Sequence, residues 1–139
     1  MDIGVCVASH IGDVDYVVRA EQLGYSHAWL ADSQMLWSDC YATLALAADR
    51  TSRINLGTGV AVSGTRSAPV NAAAIATINA LAPGRTFFGV GAGNTAMRVF
   101  GSRDVLAIST FASNSALAYM PRLLGFQLAN RSPNVSGSS

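Results

Sequence analysis

The chain contains no lysine; its nine basic residues are all arginine, set against eight carboxylates for a formal net charge of +1. Neither sign clusters along the chain, so the basic patch expected of a nucleic-acid binder is missing. Charge is scarce altogether, at 12% of residues against 50% hydrophobic. No carboxylate occurs between Thr51 and Arg103. Acid–base chemistry in the first hundred residues is therefore left to Asp2, Asp13, Asp15, Glu21, Asp32, Asp39 and Asp49, or to a histidine. The two cysteines, Cys6 and Cys40, have neither metal-ligand spacing nor a disulfide framework. Cys6 lies in an apolar run and is expected to pack there. Cys40 falls in the first turn of a helix, where a thiol pKa can be lowered, but a reactive role is not expected. No apolar run is long enough to cross a bilayer. The N-terminus enters a strand directly, so no signal peptide is expected and the chain reads as cytoplasmic. Its 139 residues suffice for one domain with a genuine core.

What is present is a strict alternation of strands and helices. Ile3–Ala8 is a nearly continuous apolar run, the pattern of a strand buried on both faces. Asp13 is placed to cap a helix over Val14–Leu23, with Val14, Val17 and Val18 on one face and Asp15 and Arg19 paired outside. Gly24 stands where a helix ends in a left-handed glycine. Ser26–Leu30 is the second strand, and Ser38 or Asp39 caps a helix through Ala48 that buries Tyr41, Leu44, Ala45 and Ala48. Arg53–Val60 is the third strand. Pro69 opens a third helix that runs to Leu81, and Arg85–Gly91 is the fourth strand. Strands alternating with helices imply a parallel α/β sheet. After Gly101 the rhythm stops. Residues 1–101 are read as the ordered domain and 102–139 as a divergent, partly disordered tail.

Candidate chemistry gathers where strands end, since α/β proteins hold their ligands at the C-terminal edge of the sheet. Asp32 follows the second strand directly and is the leading candidate for a ligand contact. His10 lies just beyond the first strand and is a weaker one. Trp37 follows Asp32 closely enough to wall a pocket, whereas Trp29, Phe87 and Phe88 are assigned to the core. His27 begins a strand at the opposite end and is read as structural. Gly91–Ala96 matches G-x-G-x-x-A, but no acid follows about 20 residues later and the motif comes fourth in the alternation, so a dinucleotide site is rejected. Gly57-Thr58-Gly59-Val60 ends a strand with an irregular backbone, against which a planar ring could rest. No triad, HExxH or metal-ligand set is present.

Taken together these motifs resemble the bacterial luciferase-like superfamily of flavin- and deazaflavin-dependent enzymes, in particular its coenzyme F420-dependent reductases similar to methylenetetrahydromethanopterin reductase. The resemblance rests on Glu21-x-Leu23-Gly24-Tyr25-x-x-Ala28-Trp29-Leu30-x-Asp32 and on Asp49-Arg50-Thr51-x-Arg53-Ile54-x-Leu56-Gly57-Thr58-Gly59-Val60. It continues through Arg66-Ser67-x-Pro69, Ala76-Thr77-Ile78, Gly84-Arg85 and Gly89-Val90-Gly91-x-Gly93.

The resemblance implies the N-terminal half of a TIM (β/α)8 barrel, about four βα units, with cofactor at the C-terminal face. It implies hydride transfer between reduced F420 (deazaflavin) and a small organic substrate; the alternatives are an FMN-dependent monooxygenase and a non-catalytic, self-associating half barrel. Asp32 would lie beside ring and substrate, with His10 as a second catalytic candidate and Trp37 toward the substrate. Gly59 and Val60 match a non-prolyl cis bulge that props the ring, and Asn94 faces it. Ser33 stands where some branches carry histidine. Asn94 stands where an acid is common, and an amide orients but does not transfer a proton. A whole barrel takes about 250 residues. This chain supplies half of that, so the expectation is association with another half, as a homo-oligomer or through the exposed sheet edges, or else poor solubility or a truncated product.

Overall fold

The computed structural model describes residues 1–99. Eight elements alternate: β1 Gly4–Val7, α1 Val14–Gln22, β2 His27–Leu30, α2 Cys40–Arg50, β3 Asn55–Val62, α3 Ala68–Leu81, β4 Thr86–Gly91 and α4 Asn94–Val99. The expected boundary at Gly101 and the tail over 102–139 lie outside the described residues. All three strand pairs are parallel, and the order is β1-β2-β3-β4. Because that order never reverses, the sheet has, among the described residues, no switch point of the kind a doubly wound dinucleotide fold uses. The winding is that of one half of a (β/α)8 barrel.

Local chemistry sets the ends of the helices. Gly24 closes α1 at φ 86°. The Tyr25 N–H reaches the Ala20 carbonyl at 3.0 Å and the Gly24 N–H reaches that of Glu21 at 3.1 Å. This pair of bonds is a Schellman motif, which satisfies carbonyls the helix leaves open. Asp39 caps α2, its Oδ1 accepting from the Tyr41 and Ala42 N–H groups at 2.9 and 3.0 Å. Ser38, the alternative cap, instead accepts from the Ile11 N–H at 3.1 Å. Asp13 stands at the N-cap position of α1 but makes no side-chain cap. A 3-10 turn over Ile11–Asp13 leads into that helix instead, closed by the Asp13 N–H on the His10 carbonyl at 2.9 Å. The expected Asp15–Arg19 pair is also replaced. Asp15 pairs with Arg50 at 3.1 Å, joining α1 to α2, while Arg19 donates to Gln22.

The core lies between the sheet and the helices. Val7, Ala28, Leu30 and Leu56 meet Val14 and Val17 of α1, Leu44 and Ala47 of α2, and Ile75 and Ile78 of α3, all buried. Each large aliphatic side chain enclosed there contributes about 1.5–3 kcal/mol. The opposite face carries the register row Cys6, Trp29, Gly57 and Phe87. The rings of His27 and Trp29 stack at 5.8 Å, and Phe87 lies edge-on to Trp29 at 5.8 Å.

That second face corrects two expectations. Cys6 is exposed, not packed. Trp29 and Phe87 are half-buried on the helix-free side, while Phe88 packs against the helix-side core. The reason is the strand period: side chains alternate between faces, and among the described residues helices cover one face alone.

At the N-terminal end of the sheet two charged side chains tie the α2–β3 connection to its neighbours. Glu21 Oε2 accepts from the N–H groups of Ser52, Arg53 and Ile54 at 3.1, 2.6 and 2.8 Å. Burial alone would raise its pKa, but the three N–H bonds and the Arg53 charge hold it below the ordinary value. Arg85 donates to the carbonyls of Ile54, Thr51 and Ala48 at 2.8, 3.0 and 3.4 Å, and to Thr51 Oγ1 at 3.3 Å. No helix among the described residues is long and apolar enough to cross a membrane.

Candidate active site

The C-terminal ends of β2, β3 and β4 surround a cleft of about 180 Å³, lined in part by Asp32, Ser33, Trp37, Gly59, Val60 and Gly93. Its floor comes from an irregularity in β3. Pairing with β4 is regular to Thr58–Phe88 and resumes, shifted, at Ala61–Val90. Between them the Gly59–Val60 peptide is cis, and Val60 stands 40% exposed at the cleft. Thr58 secures the approach to this corner, its hydroxyl donating to the Gly89 carbonyl at 2.7 Å. Trp29 lies directly beneath: a Cβ on Gly59 would fall 2.7 Å from that of Trp29. Only glycine lets the corner seat this closely on the indole.

Asp32 is 5% exposed, and both its oxygens are engaged. Oδ2 accepts from the Val62 N–H at 3.0 Å and from Arg66 Nη1 at 2.8 Å. Oδ1 accepts from Gln34 Nε2 at 2.6 Å. The other Arg66 nitrogen reaches Asp39 Oδ2 at 2.6 Å, and the guanidinium lies 5.0 Å above the Tyr41 ring. Burial pulls the Arg66 pKa down, but Asp32 and Asp39 more than offset it and hold it above the ordinary value. Burial likewise pushes Asp39 upward, and the Ala42 N–H and Arg66 outweigh it, leaving that carboxyl below its ordinary value.

Cys40 is fully buried, and burial together with the Asp32 charge pushes its thiol up to about 12. It stays protonated near neutrality, which suits packing and not nucleophilic chemistry.

Of the residues singled out in the sequence, Asp32, Trp37, Gly59 and Val60 meet at one cleft. The two bonds on Oδ2 give Asp32 the geometry of an anchor for the end of β3, while Oδ1, which accepts from Gln34 alone, keeps acceptor capacity at the cleft. His10 does not line the cleft. It is exposed and stands edge-on to Trp37 at 6.4 Å. Asn94 opens α4 immediately after Gly93, and its side chain lies outside the described residues. Sequence reasoning left Arg66 and Gln34 without a role. The sign available for Arg66 was its position, an arginine between a strand end and a proline-opened helix. Among the described residues no group of histidine, cysteine and carboxylate side chains could hold a metal ion.

A parallel half barrel with a bulged third strand and a cleft at its C-terminal face defines a class of proteins, and sequence comparison gives the family. The chain belongs to the luciferase-like monooxygenases, whose family model matches residues 12–109. The 5,10-methylenetetrahydromethanopterin reductase of Methanolobus tindarius is 38% identical over 81 residues, covering 58% of this chain and 24% of the relative. An F420-dependent glucose-6-phosphate dehydrogenase of Intrasporangium calvum is 40% identical over 88 residues, covering 58% of this chain and 26% of the relative. Among solved structures, the coenzyme F420 dependent tetrahydromethanopterin reductase of Methanopyrus kandleri superposes with a TM-score of 0.68 at 27% identity, over 75% of this chain and 31% of that one. The FMN complex of the oxygenating constituent of 3,6-diketocamphane monooxygenase from Pseudomonas putida shares the fold, with a TM-score of 0.70 at 16% identity over 81% and 37% of the two chains. The fold is thus the N-terminal half of a TIM (β/α)8 barrel. The chain spans about a quarter of the length of the curated relatives it matches.

Proposed function

We propose that the cleft receives the flat ring of coenzyme F420 and that the chain forms the ring-binding half of an oxidoreductase acting on a small organic substrate. The observation that carries this reading is the raised Gly59–Val60 corner, exposed at the floor of the cleft and walled by Trp37. A Cβ-free residue beside an outward valine offers a flat apolar ledge. At about 180 Å³ the cleft suits one edge of a tricyclic ring and not a whole cofactor, since whole ligand pockets run to about 300 Å³ or more. The fit is therefore to the ring, with Val60 beneath, Trp37 beside it and Gly93 across from them. The cofactor, when bound, supplies the hydride chemistry. The residues of this chain support the ring, limit its tilt and keep water from one face. Relatives named as F420-dependent, at 38–40% identity, favour the deazaflavin.

FMN is the second reading. The ledge touches a ring face, which flavin and deazaflavin present alike, and one structural neighbour of the same fold holds FMN. Such a protein would be an FMN-dependent monooxygenase.

Titrating the chain with F420 and with FMN, while following ring fluorescence, tests both. Saturable binding of F420 supports the first reading, and saturable binding of FMN alone supports the second. Val60→Trp should fill the ledge and weaken ring binding by about tenfold or more, while an exposed position keeps the effect on stability within about 0.5 kcal/mol. A folded chain that binds neither ring and assembles with concentration would overturn both readings in favour of a non-catalytic, self-associating half barrel.

A further inference from the structure

We infer that Arg66 is a positioning residue for the floor of the cleft: it holds Asp32 as the acceptor of the Val62 N–H and so sets where the Gly59–Val60 corner sits. Its importance to a bound ring rests on the reading proposed above.

Arg66 touches two carboxylates in unequal settings. Asp39 is about half exposed, so its contact with Arg66 is a surface pair of small energetic weight. Asp32 is different, with the side chains of the pair 16% and 3% exposed. A carboxylate so enclosed is tolerated with a partner and strongly disfavoured without one. The same Oδ2 that accepts from Arg66 also accepts from Val62. Val62 sits two residues past the corner, where β3 has returned to register opposite Gly91. The link therefore runs from a guanidinium in the β3–α3 connection, through a buried oxygen at the end of β2, to the backbone that fixes the ledge. Tyr41, under the guanidinium, and Asp39, at the start of α2, keep Arg66 from swinging outward.

Gln34 gives the means to separate charge from hydrogen bonding. Its Nε2 donates to Asp32 Oδ1, while its Oε1 is buried without a hydrogen-bond partner among the described residues. Turned end for end, the same amide would accept. In an Asp32→Asn chain the new Oδ1 can therefore keep the Val62 N–H while its Nδ2 donates to the turned Gln34. The neutral pair needs no guanidinium.

The test is amide hydrogen exchange at Val62, read by NMR on the 139-residue chain and on Arg66→Met and Asp32→Asn/Arg66→Met. Arg66→Met should speed exchange at Val62 by about tenfold or more, the scale of a buried acceptor that loses its partner, and leave Leu44 in α2 unchanged. The double variant should restore Val62 protection. Three results would each overturn the inference: unchanged Val62 exchange in Arg66→Met, equal acceleration at Val62 and Leu44, or a double variant no better protected than the single. FMN and F420 titrations on the same three chains keep the two readings apart. Affinity that follows Val62 protection supports both. Protection that moves as expected in chains that bind neither ring upholds the clamp and removes the ring.

Discussion

The two ends of the sheet use the same device for different ends. At the N-terminal end the Glu21 carboxylate gathers three consecutive backbone N–H groups, and the Arg85 guanidinium gathers two carbonyls at the end of α2 and one just before β3. At the C-terminal end Asp32 takes one backbone N–H and Arg66 neutralises it. At the first end each charged group serves the backbone directly, many bonds to one side chain. At the second the charges serve each other, and one bond is left to hold a strand corner beside a cleft. The contrast separates what stabilises the half barrel from what shapes its cleft. It follows that damage to the first end should lower stability and leave the cleft intact, whereas damage to the second should reach the cleft.

The largest effect should come from Arg85→Met. It removes the donor from the Ala48 and Thr51 carbonyls at the end of α2, where a helix has no partners of its own for its last carbonyls, and from the Ile54 carbonyl just before β3. A loss of about 3 kcal/mol is expected in urea unfolding, with no change in Val62 exchange below the unfolding transition. If Val62 also loses protection, the two ends are not independent and the contrast fails.

Glu21→Gln should cost less, about 1–2 kcal/mol near neutral pH, since an amide oxygen still accepts from part of the loop. Its pH dependence is the sharper readout. The folded-state pKa of Glu21 lies below the ordinary value of 4.5. The stabilisation it brings is therefore fully present above that value and is lost as pH falls through the lower folded one. The stability gap between wild type and Glu21→Gln should shrink on acidification. Asp39, whose pKa is lowered too, is present in both chains and cancels in the difference. A gap that stays constant into acid would mean that Glu21 holds the loop by shape and not by charge.

Much of this frame is legible in the sequence, because its signals are local. Periodicity marked every strand and the first three helices, Gly24 and Asp39 marked two helix ends, and the position of Asp32 and Trp37 after a strand marked the cleft. The third strand runs on to Val62, beyond the expected end at Val60, because pairing resumes after the bulge. The six-residue α4 went unmarked; it follows a glycine-rich turn and is too short to show a period. Cys6 was misread for a different reason. A short apolar run looks the same whether one face or both are covered. Glu21, Arg66 and Arg85 were opaque because their decisive bonds join residues 31 to 34 apart in the chain. Nothing near Arg66 in sequence announces Asp32, and nothing near Glu21 announces the loop at Ser52. Such pairings exist only once the sheet has brought neighbouring connections side by side.

The smallest predicted effect probes the join between core and cleft. Tyr41 Oη donates to Asn71 Oδ1 at 2.9 Å, and Asn71 Nδ2 in turn donates to the Arg66 carbonyl at 3.3 Å. Tyr41 thus meets Arg66 twice, through its ring under the guanidinium and through Asn71 behind the backbone. Tyr41→Phe keeps the first contact and removes the second, leaving a buried amide oxygen short of its donor at a cost of about 1 kcal/mol. If the ring is what steadies the guanidinium, thermal unfolding should fall slightly while Val62 exchange is unaltered. If Val62 exchange rises as well, the Asn71 bridge is part of the clamp, and the boundary between the stabilising core and the cleft runs through α3 instead of stopping at Arg66.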